Sequence, residues 1–202
     1  NNMSVQGRNL QALGLYASGK NEEALKNLKE AEMLSRESND NVRLTCNLQI
    51  QGMIYNFQGN YQTALPLVNE AIIAGEKDVP FRTKTYLYLT AFFINSHLGK
   101  IKKCEKIVDI FKHEITSPDT EEHFKAQLTY FNCLARYHML ILQNQYAKVF
   151  VEKILNKIIS KDEMPFNYAV YLTNYAAILL ALGELKKAIQ VNEEILTLKE
   201  FY

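Results

Sequence analysis

An all-α fold, built as an α-α superhelix of about five helix-turn-helix units and about ten helices, is what this sequence predicts. Three observations predict it. The first is a phrase that returns four times: Gly19-Lys20-Asn21-Glu22-Glu23-Ala24-Leu25, Gly59-Asn60-Tyr61-Gln62-Thr63-Ala64-Leu65, Gly99-Lys100-Ile101-Lys102-Lys103-Cys104-Glu105 and Gly183-Glu184-Leu185-Lys186-Lys187-Ala188-Ile189. A looser copy opens at Asn144, so the markers stand at 19, 59, 99, 144 and 183, and a period of roughly 40 residues belongs to stacked helical units. The second is apolar spacing of three and four on both sides of a marker, as in Leu48, Met53, Ile54 and Phe57 before Gly59 and Ala64, Leu65, Val68, Ala71 and Ile72 after it. Such spacing places the apolar groups on one helix face. The third is punctuation. Glycine stands where the first helix must stop, because it enters a left-handed conformation without steric cost. Pro80, Pro118 and Pro165 fall just ahead of first helices, where the missing N–H would be unpaired anyway.

Taken in order, the first unit (4–38) holds helices at 4–18 and 21–37, and the second (42–77) at 42–58 and 61–76. Pro66 sits about one turn inside that last helix, so a mild bend is expected. The third unit (81–116) opens after Pro80 with helices at 81–98 and 101–115. In the fourth (120–160), with helices at 120–143 and 146–160, Asp119, Glu121 and Glu122 place negative charge on an N-terminal turn, which suits the helix dipole. The fifth (166–200) pairs 166–182 with 185–200. Five residues after each glycine stands Ala24, Ala64, Cys104 or Ala188, short enough to let the helices of a pair approach closely. The whole, 1–202, reads as one array, and no strand is expected.

These residues resemble the tetratricopeptide repeat (TPR) family: a helix-turn-helix unit with a small residue and an aromatic in the first helix, glycine at the turn, and two small positions in the second helix. Gly52, Tyr55, Gly59, Tyr61, Ala64 and Ala71 carry the likeness in the second unit, Ala12, Gly19, Ala24 and Ala31 in the first, and Ala176, Gly183, Leu185 and Ala188 in the fifth. In the fifth, Ile195 replaces the last small residue. Phe92 and Tyr137 occupy the first-helix small position in the third and fourth units, and Phe111 lies near a small position of the third. Bulk there is expected to splay the pair or change the local superhelix. The resemblance implies a right-handed solenoid and a non-enzymatic scaffold that binds a protein or peptide in its concave groove. A weaker likeness, in period and degenerate centre, is to sensor regions of bacterial two-component kinases and transcription regulators, including peptide-pheromone receptors, and implies a sensory signalling domain as the alternative. Repeats that clamp a carboxyl-terminal acidic tail use Lys and Asn at fixed first-helix positions. The matching places hold Asn9 and Leu13 in the first unit and Gln49 and Met53 in the second, and the third offers Tyr86 and Thr90 where two further cations would be needed, so that clamp is absent.

Composition excludes several classes. With 48% apolar and 22% charged residues the chain can bury a core, and 23 basic against 22 acidic residues leave a formal charge of +1. Nothing in that balance attracts phosphate backbones, so no nucleic acid partner is expected. No apolar run reaches the roughly 20 residues of a membrane span. The first residues lack the basic start and apolar stretch of a secretory signal. A soluble chain is expected, cytoplasmic or, with a leader removed, extracytoplasmic. Cys46, Cys104 and Cys133 are odd in number and widely spaced, as core thiols are. His97, His113, His123 and His138 form no metal-ligand spacing. Pairing Cys133 with His138 or His97 across units is geometrically conceivable, yet no catalytic, cofactor or metal residue is assigned.

Binding is the expectation that remains. The family register turns Asn9, Tyr16, Gln49, Asn56, Tyr86, Phe93, His97, His138 and Thr173 toward the concave face. Amides pair with the backbone of an extended peptide and aromatics anchor apolar groups. Tyr86, Tyr88 and Phe93 can equally fill the core of a degenerate unit. Lys100, Lys102, Lys103 and Lys106 oppose the helix dipole by a few tenths of a kcal/mol each and read as a solvated rim or a match for an acidic partner. The last helix carries Leu185, Ile189, Val191, Ile195, Leu196 and Leu198, followed by Phe201 and Tyr202. Such a face implies a fragment of a larger protein, with a further domain or a dimer mate covering it.

Overall fold

Ten α-helices account for the described residues of the computed structural model, which are 4–75, 79–114, 121–158 and 165–198. They are α1 (Val5–Ala17), α2 (Asn21–Glu37), α3 (Asn41–Phe57), α4 (Tyr61–Ala74), α5 (Phe81–His97), α6 (Ile101–Glu114), α7 (Glu121–Leu140), α8 (Asn144–Lys157), α9 (Pro165–Ala181) and α10 (Leu185–Leu198). No strand occurs among the described residues. Pro118, Asp119, Phe201 and Tyr202 lie outside them. Pro80 is the N-cap of α5, Pro165 is the first residue of α9, and α4 runs through Pro66. Ser4, Asp40 and Asn60 close other helix starts, each accepting a backbone N–H three residues on.

Contacts group the chain into two compact units, Asn1–Lys103 and Cys104–Tyr202, divided inside α6. In the first, α1 pairs with α2 and α3 with α4, while first helices lie side by side, α1 on α3 and α3 on α5. Helix α3 is also touched by α2. It therefore has neighbours on nearly every side, and Leu44, Leu48, Ile50 and Ile54 are buried. The second unit repeats the scheme with α7 on α8, α9 on α10, and α7 and α8 against α9. Its core is built on Ala135, Val151, Leu172, Ile178, Leu179 and Ala188. On α10, Val191 and Leu198 are buried while Leu185, Ile189 and Leu196 are exposed.

Every hairpin turns in the same way. The N–H of the residue that follows the left-handed position returns to a carbonyl in the last turn of the first helix: Lys20 to Leu15, Asn60 to Tyr55, Lys100 to Asn95, Gln143 to His138 and Glu184 to Leu179, at 2.8–2.9 Å. The left-handed residues are Gly19, Gly59, Gly99 and Gly183 at φ 67–76° and, in the fourth hairpin, Leu142 at φ 59°. The fourth turn is thus centred on Leu142, and Asn144 is already the first residue of α8, which corrects the expected marker by two residues. Counting back from Leu142, the small first-helix position is the fully buried Ala135 and not Tyr137. Ala147, also fully buried, is the counterpart of Ala24, Ala64, Cys104 and Ala188. The fourth unit is regular. Leucine at a position where four sister turns use glycine hid its register.

A leucine in this conformation carries strain of about 1–2 kcal/mol, and its side chain is exposed. Leu142→Gly relieves that strain while adding roughly 0.4–1 kcal/mol of unfolded-chain entropy. The expected net effect is a stabilisation of about 0.5–1 kcal/mol, read as a higher urea midpoint. A midpoint at or below that of the parent would mean that the leucine side chain itself holds the turn.

Candidate functional site

Besides the exposed residues at its two ends, among them Arg43 and Phe57, α3 keeps one line accessible along its length. Val42, Cys46, Met53 and Asn56 are partly accessible, Gln49 sits between them at 8% exposure, and the intervals are four, three, four and three residues. That is a single stripe of an α-helix. Aligned on the turn glycines, the stripe continues as Gln6, Asn9, Leu13 and Tyr16 on α1 and as Arg82, Tyr86, Leu89 and Phe93 on α5. Six of the expected residues, Asn9, Tyr16, Gln49, Asn56, Tyr86 and Phe93, therefore share the open face of the first unit.

Their environments differ. Asn9 is buried, and its Oδ1 accepts from Asn47 Nδ2 at 2.9 Å, so it braces the face from beneath. Gln49 reaches across to α5, donating through Nε2 to Thr90 Oγ1 at 3.4 Å. The Thr90 hydroxyl in turn donates to the Tyr86 carbonyl at 2.8 Å. Tyr16 stacks with Phe57 at 6.2 Å between ring centroids, and burial raises its hydroxyl pKa above the ordinary value. Tyr86 is exposed, with the Arg82 guanidinium 6.0 Å from its ring centre. Phe93 is half-buried and meets Phe92 edge-on at 6.0 Å. Asn56 keeps its Oδ1 buried with no hydrogen-bond partner among the described residues, an amide acceptor left open.

Below this face runs a polar chain through the unit. Asn47 Nδ2 also donates to the Leu28 carbonyl at 2.8 Å, and Gln51 Nε2 donates both to Asn47 Oδ1 at 2.7 Å and to Glu32 Oε2 at 2.8 Å. Glu32 accepts from Arg36, whose other nitrogen pairs with Glu70 at 2.7 Å. These acceptors raise the Arg36 pKa, Glu70 first and then Glu32.

In the second unit, the amide position of the stripe is Asn132. It accepts from Asn174 Nδ2 at 2.8 Å, and Asn174 Oδ1 accepts from Arg136 at 3.3 Å. Thr173 is exposed on α9, its hydroxyl turned back to the Ala169 carbonyl. The two histidines lie off the stripe. His97 stacks on Tyr61 at 4.5 Å and 10°, so the end of α5 meets the start of α4. His138 bonds Gln143 Oε1 through Nδ1 at 2.9 Å and stacks on Tyr146 and Phe150. The two-residue shift of the fourth turn explains why Asn132 and Arg136 escaped notice. Arg82 and Met53 were legible from the stripe once Gly59 and Gly99 fixed its register.

Thiol chemistry has no foothold at Cys133. It is fully buried with its pKa raised by desolvation, and burial pushes Cys104 up to about 11. Among the described residues no group of three His, Cys, Asp or Glu side chains could hold a metal ion. No described helix is long and apolar enough to cross a membrane.

No protein-family model matches the chain, and no curated protein matches it. Solved structures do. A single-residue variant of a kinesin light chain-like protein of Podosopora anserina, made of nearly identical TPR-like repeats, superposes with a TM-score of 0.66. The match covers 96% of this chain and 94% of that one at 14% identity. A second structure of that description gives 0.64 at 13% identity over the same shares. A tetratricopeptide repeat protein from Parabacteroides merdae aligns over 96% of this chain and 79% of that one, at 15% identity and a TM-score of 0.45. The fold is that of TPR-like helical repeats.

Proposed function

We propose that this TPR-like chain is a non-enzymatic scaffold that holds an extended segment of a partner protein on the open face of α1, α3 and α5. A fold of this kind supports protein interaction in general and is typically not catalytic. The observation that carries the finer reading is the make-up of the α3 stripe and its flanks. An unsatisfied amide acceptor at Asn56 and a thioether at Met53 lie in register with an exposed tyrosine under a guanidinium at Tyr86 and Arg82. Amides bond a peptide backbone whatever its sequence, whereas Met53, Tyr86 and Phe93 give its side chains apolar contact. No paired acid and base stands among them, so capture and not conversion is the chemistry on offer.

A photo-reactive amino acid placed in turn at positions 53, 86 and, on the opposite side, 29 tests this in the native cell. Positions 53 and 86 are expected to cross-link the same partner, and position 29 not to. Tyr86→Ala is expected to weaken capture by about tenfold, the loss of one exposed aromatic anchor. Equal labelling from all three sites, or capture indifferent to Tyr86→Ala with Asn56→Ala, would remove the proposal.

A further inference from the structure

We infer a second docking surface, separate from the open face of the first helices: Leu142, Tyr146 and Val149, with Lys153 at one end, receive an amphipathic helix of a partner protein that carries a carboxylate where it meets Lys153. Leu142 is 84% exposed and sits at φ 59°, where the four sister turns place glycine. Neither burial nor backbone preference selects leucine there. When two local rules are broken at one residue, a demand from outside the fold is the usual reason. Four and seven residues on, Tyr146 is 62% and Val149 47% exposed. Tyr146 and Val149 stand about one turn apart on α8, and Leu142 lies in the turn that leads into that helix.

Tyr146 is held ready. Its ring stacks on His138 at 5.5 Å and 27°, and His138 stacks on Phe150 at 5.4 Å and 16°. The His138–Gln143 bond of 2.9 Å fixes the imidazole. An exposed aromatic with little rotamer freedom left to lose makes a strong anchor. Charge then selects the partner. Glu152 is occupied by Tyr175 and Lys187, and Glu184 by Lys148. Lys153 is exposed and meets no carboxylate of the described residues. It lies 5.2 Å from the Phe150 ring centre and 5.9 Å from that of Phe131. The uncompensated charge beside Tyr146 and Val149 is therefore a cation backed by rings, which suits an incoming Asp or Glu. An exposed apolar ridge on α8 with a cation at one end suits packing against one face of a second helix.

The test is selection of helical peptides from a displayed random library on the full chain, with binding then compared across variants. Enriched peptides are expected to carry apolar residues at i, i+4 and i+7 and a carboxylate at one end. They should bind at least about tenfold more weakly to Leu142→Gly and to Tyr146→Ser. Lys153→Glu should shift selection to lysine-bearing peptides, and Tyr86→Ala should change nothing. Leu142→Gly should bind less although it melts higher, a divergence that a purely structural leucine would not give. Three outcomes overturn the inference. One is a pool without this pattern, or one that binds all variants equally. Another is self-association in sedimentation that Leu142→Gly abolishes, which would make the occupant a second copy. The third is flotation with anionic vesicles lost in the same variants.

Discussion

Asn47→Ala is expected to cost the first unit about 2–4 kcal/mol, because it removes three buried hydrogen bonds at once. The side chain is fully buried between α1, α2 and α3. Its two N–H donors satisfy Asn9 Oδ1 and the Leu28 carbonyl, and its oxygen accepts from Gln51. Alanine removes all three bonds; Gln51 keeps its bond to Glu32, while a buried group left without a partner bears a desolvation penalty of about 1–3 kcal/mol unless water enters. The measurement is the urea midpoint, with a double-mutant cycle against Gln51→Ala. Coupling of about 1 kcal/mol or more is expected, since the two amides share a bond. Additive losses would show that the chain of amides is not an energetic unit.

Gly52→Ala is expected to destabilise the same unit by about 2 kcal/mol. A Cβ on Gly52 would stand 2.4 Å from Val68 Cγ2, and Val68 is fully buried on α4. Valine is stiff at χ1 and cannot swing aside, so the helices must separate. Overpacking of this kind costs about 1–3 kcal/mol, sometimes more, against a gain of roughly 1 kcal/mol from replacing glycine within a helix. The clash wins because so short an approach lies far inside van der Waals contact. Adding Val68→Ala removes the obstructing methyl. It should therefore cost less in the Gly52→Ala background than in the parent, and equal costs in both would show that the contact does not set helix spacing.

Much of this architecture could be read from local chemistry. Gly19, Gly59, Gly99 and Gly183 mark turns through backbone preference alone, and Pro80 and Pro165 mark starts, so nine of the ten helix starts came within a residue of their positions. The exception, α8, follows the turn at Leu142, whose strained backbone has no signature in residue type. The open face followed from the same register, which placed Asn56, Tyr86 and Phe93 in line but drew in His97 and His138. Both histidines are claimed by neighbouring rings instead, Tyr61 in one case and Tyr146 with Phe150 in the other. Tertiary pairing of amides was not legible. Asn47 reads as an ordinary polar position, and only the approach of α1 and α2 turns it into a shared donor. The grouping of contacts into two units likewise depends on packing, since the period of glycines passes Lys103 without a break in sequence.

Encirclement of α3 also governs where evolutionary drift can settle. Substitutions at Leu48, Asn47, Gln51 or Gly52 disturb a neighbour, because each is buried against one. Along the stripe the ties are lighter: Met53 packs only partly on the core around Ala12 and Ile54, Cys46 faces Thr83 Oγ1 at 3.8 Å, and Gln49 makes a single long bond. Among descendants of this chain, the least constrained columns along α3 are therefore spaced alternately by four and three, and they can change with the least disturbance of the framework.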